Sequence, residues 1–396
     1  MARARVAILH QGCVPTYRKP FFERLARRSQ REYVVFHGNP DPTASVVPAP
    51  GPYAFPNRHV SNHFFRVFGR SLAFQSVILP VLFGDYDALV VGHEIKYVSN
   101  LILGVLFKLL GRPVILWGHG GTRNLEGADG NRRQTALTRL VEKLKARMIL
   151  GATGYMAYSS SGADYVERVG MPRNRITVLL NTIDMSDEIA AHERWQQRDR
   201  EEIRARLGIA PGAIVFIFIG RLIPLKRVGL LAQTIRSLRA EGLPVEALVV
   251  GSGPDDAELE REFGGESWCH RLGAVFERER IAELMRAADA VAIPDYVGLA
   301  INHAFAHGLP VITMKSKIHG PEIEYLKDQV NGMIPEGEDG FREALKQFAT
   351  SAELRRRLSG GALRSRDQFD LVNMVKAFDR AISTALDRNA QPPAAV

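Results

Sequence analysis

Arg221 and Lys226 stand five positions apart, just behind an apolar run, Phe216-Ile217-Phe218-Ile219, that ends at Gly220. Such a run reads as a buried strand, and the glycine permits a sharp exit from it. Arginine offers a planar fork to phosphate oxygens, and lysine offers a compact point charge. Together they suit a diphosphate leaving group, whose growing charge they stabilise in place of a divalent metal. A second apolar run, Leu248-Val249-Val250, ends in Gly251-Ser252-Gly253-Pro254. Glycines at that point let backbone approach a ligand closely. Leu272-Gly273-Ala274-Val275 forms a third loop, and Gly298-Leu299 leads into Ala304-x-Ala306-x-Gly308-x-Pro310-Val311. Gly298 and Leu299 are expected to open a helix whose first N–H groups point at phosphate.

This order of motifs resembles the C-terminal half of the family 4 glycosyltransferases of the GT-B fold. The resemblance implies that Arg221 and Lys226 bind the diphosphate of a nucleotide-sugar donor. It places Gly220, Gly251 and Gly253 beside that donor, and Gly273 and Val275 against its base. The family usually carries two glutamates eight positions apart around the Gly-Leu turn, the first near the donor sugar and the second on the ribose hydroxyls. In this register Asp295 stands at the first position and His303 at the second. The carboxylate is thus one methylene shorter, and a histidine takes over the ribose hydrogen bond. Glu322, in His319-Gly320-Pro321-Glu322, and Asn331-Gly332 resemble elements that follow the donor site, with Glu322 in a supporting role.

The first half carries weaker signals. Trp117-Gly118-His119-Gly120 ends a strand, and the resemblance puts His119 against the donor sugar. Arg18, in a loop similar to that of bacterial surface-polysaccharide enzymes, is expected to hold an acceptor phosphate, and His93 and Glu94 to face the acceptor. Asn181-Thr182-Ile183-Asp184 resembles the family's hinge, with a simple turn as the plain alternative. Asp85-Tyr86-Asp87 has the spacing of a metal motif but precedes a strand, so it reads as a turn, and no metal is expected. No Gly-x-Gly-x-x-Gly follows the first strand, which argues against a nicotinamide enzyme.

These residues need two frames to hold them. A chain of 396 residues suits two cores of roughly 180–200 residues each. Short Val/Ile/Leu runs alternate with helical patterns throughout, as in an α/β protein with parallel sheets. The expected organisation is GT-B: two Rossmann-like domains facing across a cleft. Residues 1–185 form the acceptor-side domain, 186–212 a linker, and 213–365 the nucleotide-sugar domain. Residues 366–396 form a helix and frayed tail that cross back to the first domain. The third strand of the second domain is expected over Arg271–Val275, and Asn39–Pro56, rich in proline, as a mobile loop.

Charge separates the halves: residues 1–185 hold 24 Lys and Arg against 12 Asp and Glu, whereas residues 186–396 hold 28 against 31. The excess is either a solvated surface or one that meets something anionic, a membrane or a phosphate-bearing acceptor. No nucleic-acid motif accompanies it, so nucleic acid is not an expected partner. From Arg132 to Leu150 basic residues alternate with leucines in an amphipathic helix that suits an anionic membrane, and the Phe/Arg-rich stretch His63–Phe83 would assist it. Cys13 and Cys269 stand far apart, which fits a reducing compartment. No apolar run reaches the ~20 residues that span a bilayer. The expected location is cytoplasmic, peripheral to the inner face of the plasma membrane.

The implied function is a retaining, metal-independent hexosyltransferase with no required cofactor. It would move a sugar from a nucleotide diphosphate sugar to a saccharide hydroxyl, on a lipid diphosphate carrier, in surface polysaccharide assembly. Two alternatives stand beside it: a nucleotide-sugar 2-epimerase, and a non-catalytic nucleotide-binding partner of a transferase complex.

Overall fold

Apolar runs become strands of two parallel sheets, seen in a computed structural model that describes residues 3–9, 12–41, 47–67, 70–121 and 136–390. The strands are β1 (Arg5–Leu9), β2 (Glu32–His37), β3 (Asn57–His59), β4 (Asn62–Val67), β5 (Arg70–Gln75), β6 (Ala88–Gly92), β7 (Val114–Gly118), β8 (Gly154–Ala157) and β9 (Ile176–Val178). They continue as β10 (Ile214–Ile219), β11 (Val245–Val250), β12 (Cys269–Arg271), β13 (Ala290–Ala292), β14 (Val311–Ile312) and β15 (Gly332–Met333). The chain forms two compact units, one running to Asp184 and resuming at Leu371, the other Met185–Asp370.

The first unit holds a sheet of order β3-β2-β1-β6-β7-β8-β9, with β4 and β5 as a separate antiparallel hairpin. Its strands β6, β7 and β8 are buried throughout because helices cover both faces, whereas the edge strand β3 is polar and exposed. One face packs Phe21, Leu25 and Trp117 against Met374, Phe378 and Ile382 of the last helix, Leu371–Ala390. Burying Leu371, Met374, Val375, Phe378 and Ile382 of that helix is worth on the order of 10 kcal/mol before entropic costs. Asp379 adds a polar tie, accepting from Tyr33 Oη at 2.6 Å, Ser29 Oγ at 2.7 Å and Arg31 Nη1 at 3.1 Å. The other face packs Leu103, Phe107, Ile149 and Val166.

The second unit's sheet has the order β12-β11-β10-β13-β14-β15. Chain order runs outward from β10 in one direction and from β13 in the other. The topological switch therefore falls between β10 and β13, the place where open parallel sheets leave a crevice at their carboxyl ends. In the first unit it falls between β1 and β6.

Three expectations change. Residues 186–212 are no linker: helices Ser186–Gln196 and Arg200–Arg206 belong to the second unit. Arg204 Nη2 binds Asp289 at 2.8 Å, and Arg200 reaches the Ala288 carbonyl at 2.6 Å, which fastens both turns to the sheet. The third strand ends at Arg271, because Gly273 has φ +66° and turns the backbone out of the sheet. The Pro-rich segment is packed where it is described: Ala49 and Phe55 are buried in the first core, and Ala49 N–H donates to Val14 O at 2.8 Å. Arg132 and Arg133 lie outside the described residues.

Candidate functional site

The donor-side motifs of the second unit come together at the carboxyl ends of β10, β11 and β12. Backbone hydrogen bonds lace their loops together. Gly220 N–H donates to Val250 O at 2.9 Å, Leu222 N–H to Ser252 O at 3.0 Å, and Gly251 N–H to Gly273 O at 2.8 Å. Glycine is required by this lacing, since a Cβ on Gly251 would lie 1.8 Å from Gly220 O, and one on Gly253 2.1 Å from Leu222 O. Gly251 also has φ +149°, a conformation that side chains resist. Gly273 is exposed and Val275 half-buried, leaving main chain accessible beside the two glycines.

Lys226 ends a short 3-10 turn, Pro224–Lys226, and its Nζ folds back over Gly220, 3.4 Å from where a Cβ would stand. The same Nζ lies 5.9 Å from the Phe218 ring. Burial pushes its amine down to about 8, so the charge is held at a cost that an incoming phosphate would relieve. Arg221 is exposed on the same loop.

Across the switch point, the loop after β13 is clamped from behind. Pro294 O accepts from Met314 N–H at 2.9 Å, and Gly320 N–H donates to Val297 O at 2.5 Å. His319 is buried, with Nδ1 accepting from Val297 N–H at 3.1 Å and Nε2 donating to Met314 O at 2.7 Å. That arrangement requires a neutral ring, so the 3.9 Å approach of Asp295 to His319 Nδ1 is no ion pair. Asp295 instead accepts from Tyr296 N–H at 2.7 Å, with Tyr296 held at φ +51°. Glu322 is buried with its carboxylate against Gly298, 3.5 Å from where a Cβ would be. Leu299 caps the helix Ala300–Ala306, whose first turn closes on Gly298 O and Leu299 O.

His303 does not stand alone at its position. Its Nδ1 lies 2.8 Å from Glu188 Oε2, on the helix Ser186–Gln196. Burial works to lower the imidazole, but the charge of Glu188 and the hydrogen bond to it outweigh this and raise it. Sequence reasoning missed Glu188, because it lay in a polar stretch assigned to a linker. Behind it, His192 and His307 pack ring to ring at 5.6 Å, and burial pushes His307 down to about 4.

The first unit treats its candidates differently. His119 is exposed at the end of β7, its ring 4.6 Å from that of Tyr158. Gly120 has φ +86°, and a Cβ there would lie 2.6 Å from Gly162 O. His93, expected at the acceptor, is buried and fully engaged: Nε2 donates to Lys145 O at 3.2 Å, and Nδ1 accepts from Tyr155 Oη at 2.9 Å. Tyr155 Oη in turn accepts from Gly120 N–H at 2.9 Å. Burial pushes His93 down to about 4. It is a neutral brace for the His119 loop and no acceptor ligand.

Arg18 is a second correction. Its side chain is 1% exposed, inside a cage of Tyr17, Phe21, Trp117 and Tyr158. Its guanidinium binds Asn181 Oδ1 and reaches Thr182 O at 3.4 Å. Arg24 meets Asp184 at 2.8 and 2.9 Å. Both arginines therefore fasten the 181–184 segment. Glu94 remains exposed; the crowding around it pushes its carboxyl up against the pull of Lys96 and Lys145. Asp87 accepts from Arg5 N–H at 2.8 Å and Asp85 has φ +50°, as a turn before β6 requires.

Among the described residues, no group of three or more His, Cys, Asp or Glu is placed to hold a metal ion. A depression of about 300 Å³ lies behind the Pro224 turn, lined by Asp255, Glu258, Glu262 and Glu338 with Arg227. Its acidic lining repels a diphosphate, unlike the glycine loops beside Lys226.

Residues 213–351 match the family described as Glycosyl transferases group 1. The chain is 31% identical over 218 residues to the D-inositol 3-phosphate glycosyltransferase of Rhodococcus erythropolis, 51% of this chain and 47% of that protein. It is 27% identical over 293 residues to that of Nocardia farcinica, 69% of this chain and 62% of that one. The chain thus spans about half to two thirds of these curated relatives' length. Among solved structures, sucrose-phosphate synthase of Thermosynechococcus elongatus superposes with a TM-score of 0.71 at 15% identity, over 98% of this chain and 100% of that one. Anabaena HepE in complex with UDP gives 0.66 at 16% identity, over 96% and 100%. Residues 213–351 thus match a glycosyltransferase family model, and the chain as a whole has the GT-B fold of these solved structures.

Proposed function

We propose that this chain is a retaining glycosyltransferase that uses a nucleotide diphosphate sugar to glycosylate a saccharide hydroxyl. The observation that carries this is the set of three glycine loops laced edge to edge, with Lys226 folded over Gly220 at the switch of the second sheet. Such a floor offers main-chain N–H groups and positive charge to a diphosphate and leaves no room for side chains.

In the transfer, the bond from the anomeric carbon to the diphosphate oxygen breaks and a bond to the acceptor oxygen forms. The acceptor proton passes to the departing diphosphate, so the products are a nucleoside diphosphate and a glycoside. Arg221 and Lys226 stabilise the charge that builds on the leaving group. Gly298 and Leu299 add N–H groups from the helix that starts there. Asp295 attends the donor sugar, Gly273 and Val275 the base, and the Glu188-bound His303 a ribose hydroxyl. Glu94 is the acceptor-side candidate. Retention follows front-face attack, in which no carboxylate is alkylated.

The basic first unit suits an acceptor bearing phosphate, and a lipid-diphosphate saccharide in surface polysaccharide assembly fits at the cytoplasmic face of a membrane. A second acceptor class comes from the curated relatives, whose name specifies inositol 3-phosphate. HepE was determined with UDP-glucose as well as UDP, which makes a uridine donor the first to try.

Thermal-shift measurement with UDP, GDP, ADP and CMP, with EDTA present, tests the donor site. One nucleoside diphosphate should raise the melting midpoint of the wild type and have no effect on Arg221→Ala/Lys226→Ala. A response that survives the double substitution would sink the diphosphate assignment.

A further inference from the structure

The first unit carries an outward surface that its own core does not use. Of the fifteen large apolar side chains exposed among the described residues, twelve lie in this unit. Seven of the twelve, Ile102, Val105, Leu109, Leu110, Leu140, Leu144 and Leu150, fall on or directly beside two helices. The helix Val98–Leu109 buries Leu103 and Phe107 on its inner side, while Ile102, Val105 and Leu109 form a second apolar stripe facing out. Val105 is 60% and Leu109 78% exposed. A helix that only covers a core presents polar residues there.

The helix Ala136–Gly151 packs on the same face of the sheet, since its Ile149 shares a core cluster with Leu103 and Phe107. The two helices meet near their C-terminal ends, where Lys108 Nζ lies 3.6 Å from the Cβ position of Gly151. Leu140, 62% exposed, and Leu144 stand on the outer side of this second helix with Lys143 and Arg147 between and beside them. At helical spacing these four residues share one arc of the helix. Apolar and cationic side chains therefore interleave on one surface, and Leu110 and Leu150 extend it where the helices converge.

Cation and alkyl group side by side match one partner chemistry, an anionic lipid bilayer: leucines enter the acyl boundary while lysine and arginine meet headgroup phosphates. The charge of the unit agrees, with 27 Lys and Arg against 14 Asp and Glu across its two chain segments. A protein partner of ordinary composition would not call for so one-sided a field. We infer that the outer faces of helices Val98–Leu109 and Ala136–Gly151 dock this protein on an anionic membrane. The inference rests on the proposed membrane-side acceptor and names the surface that reaches it.

Flotation of the full chain with vesicles tests it, comparing phosphatidylcholine alone with phosphatidylcholine mixed with phosphatidylglycerol. The wild type should float with the mixed vesicles only, and less as salt rises. Lys143→Glu/Arg147→Glu and Val105→Ser/Leu109→Ser should each weaken partitioning at least about tenfold. Both pairs are exposed, so melting midpoint and UDP response should match the wild type, which separates lost docking from lost folding. Flotation on neutral vesicles, no flotation at all, or variants that float like the wild type would each overturn the proposal. So would a wild-type dimer by light scattering that Val105→Ser/Leu109→Ser converts to monomer, which would assign the face to a second copy. The UDP response is read without lipid, so failure of docking and failure of the donor site are told apart.

Discussion

The two parallel sheets end their strands in opposite ways. In the second unit the loops after β10, β11 and β12 are glycine-rich, held by main chain, and leave their surface open. In the first unit several polar side chains near strand ends are drawn inward, although His119 and Glu94 stay exposed: His93 and Tyr155 form a relay to the Gly120 N–H, and Arg18 is caged. One unit builds a floor from backbone and the other spends several of its side chains on bracing loops. A polar residue at the end of a parallel strand is therefore a poor guide to ligand contact unless something keeps it out of the core. Glycine that cannot tolerate a Cβ is a better one.

Breaking the backbone floor should have the largest effect. Gly251→Ala forces a Cβ onto Gly220 O from a φ of +149°; we expect a loss of about 3–5 kcal/mol and no nucleotide response. Gly229→Ala, at a helical glycine with open space around it, should be neutral or stabilising by up to ~1 kcal/mol. Equal melting midpoints for the two variants would refute the lacing argument.

The brace in the first unit comes next. Arg18→Met keeps bulk but leaves Asn181 Oδ1 and Thr182 O without the guanidinium that binds them. It should cost about 2–4 kcal/mol while the UDP response of the folded fraction persists. A raised acceptor KM with unchanged melting would instead return Arg18 to the surface role its sequence position suggested.

Lys226 gives the smallest and most selective test. With its amine lowered to about 8, the free enzyme loses this charge as pH rises through that value. Donor kcat/KM should fall on the alkaline side of about 8, and Lys226→Arg should remove that limb, because arginine stays charged. The stability sign is opposite to that of an ion-paired lysine. The folded state binds fewer protons than the unfolded between about 8 and the ordinary lysine value of 10.5, so the penalty is full below this window and is relieved as pH rises through it. An alkaline limb unchanged in Lys226→Arg would remove the lysine from the diphosphate site.

Much of the second unit was legible in the sequence. Gly220, Gly251 and Gly253 are marked by residue type, since no side chain fits there, and the strands before them read as apolar runs because both sheet faces are covered. Glu188 was not legible: its meeting with His303 joins helices over a hundred positions apart in sequence. The hairpin β4–β5 escaped because β4 is largely exposed and the apolar residues of neither strand alternate along the sequence; β3 and β15 are too short to show a period.

The amino-acid order alone determined the alternation of strands and helices, the glycine loops and the cation pair. These follow from local propensity and from steric limits that act within a few residues. The tertiary structure decided which polar groups remain available. Burial and hydrogen bonding, set by partners distant in sequence, turned Arg18 and His93 into braces and gave His303 a carboxylate that its own motif lacks.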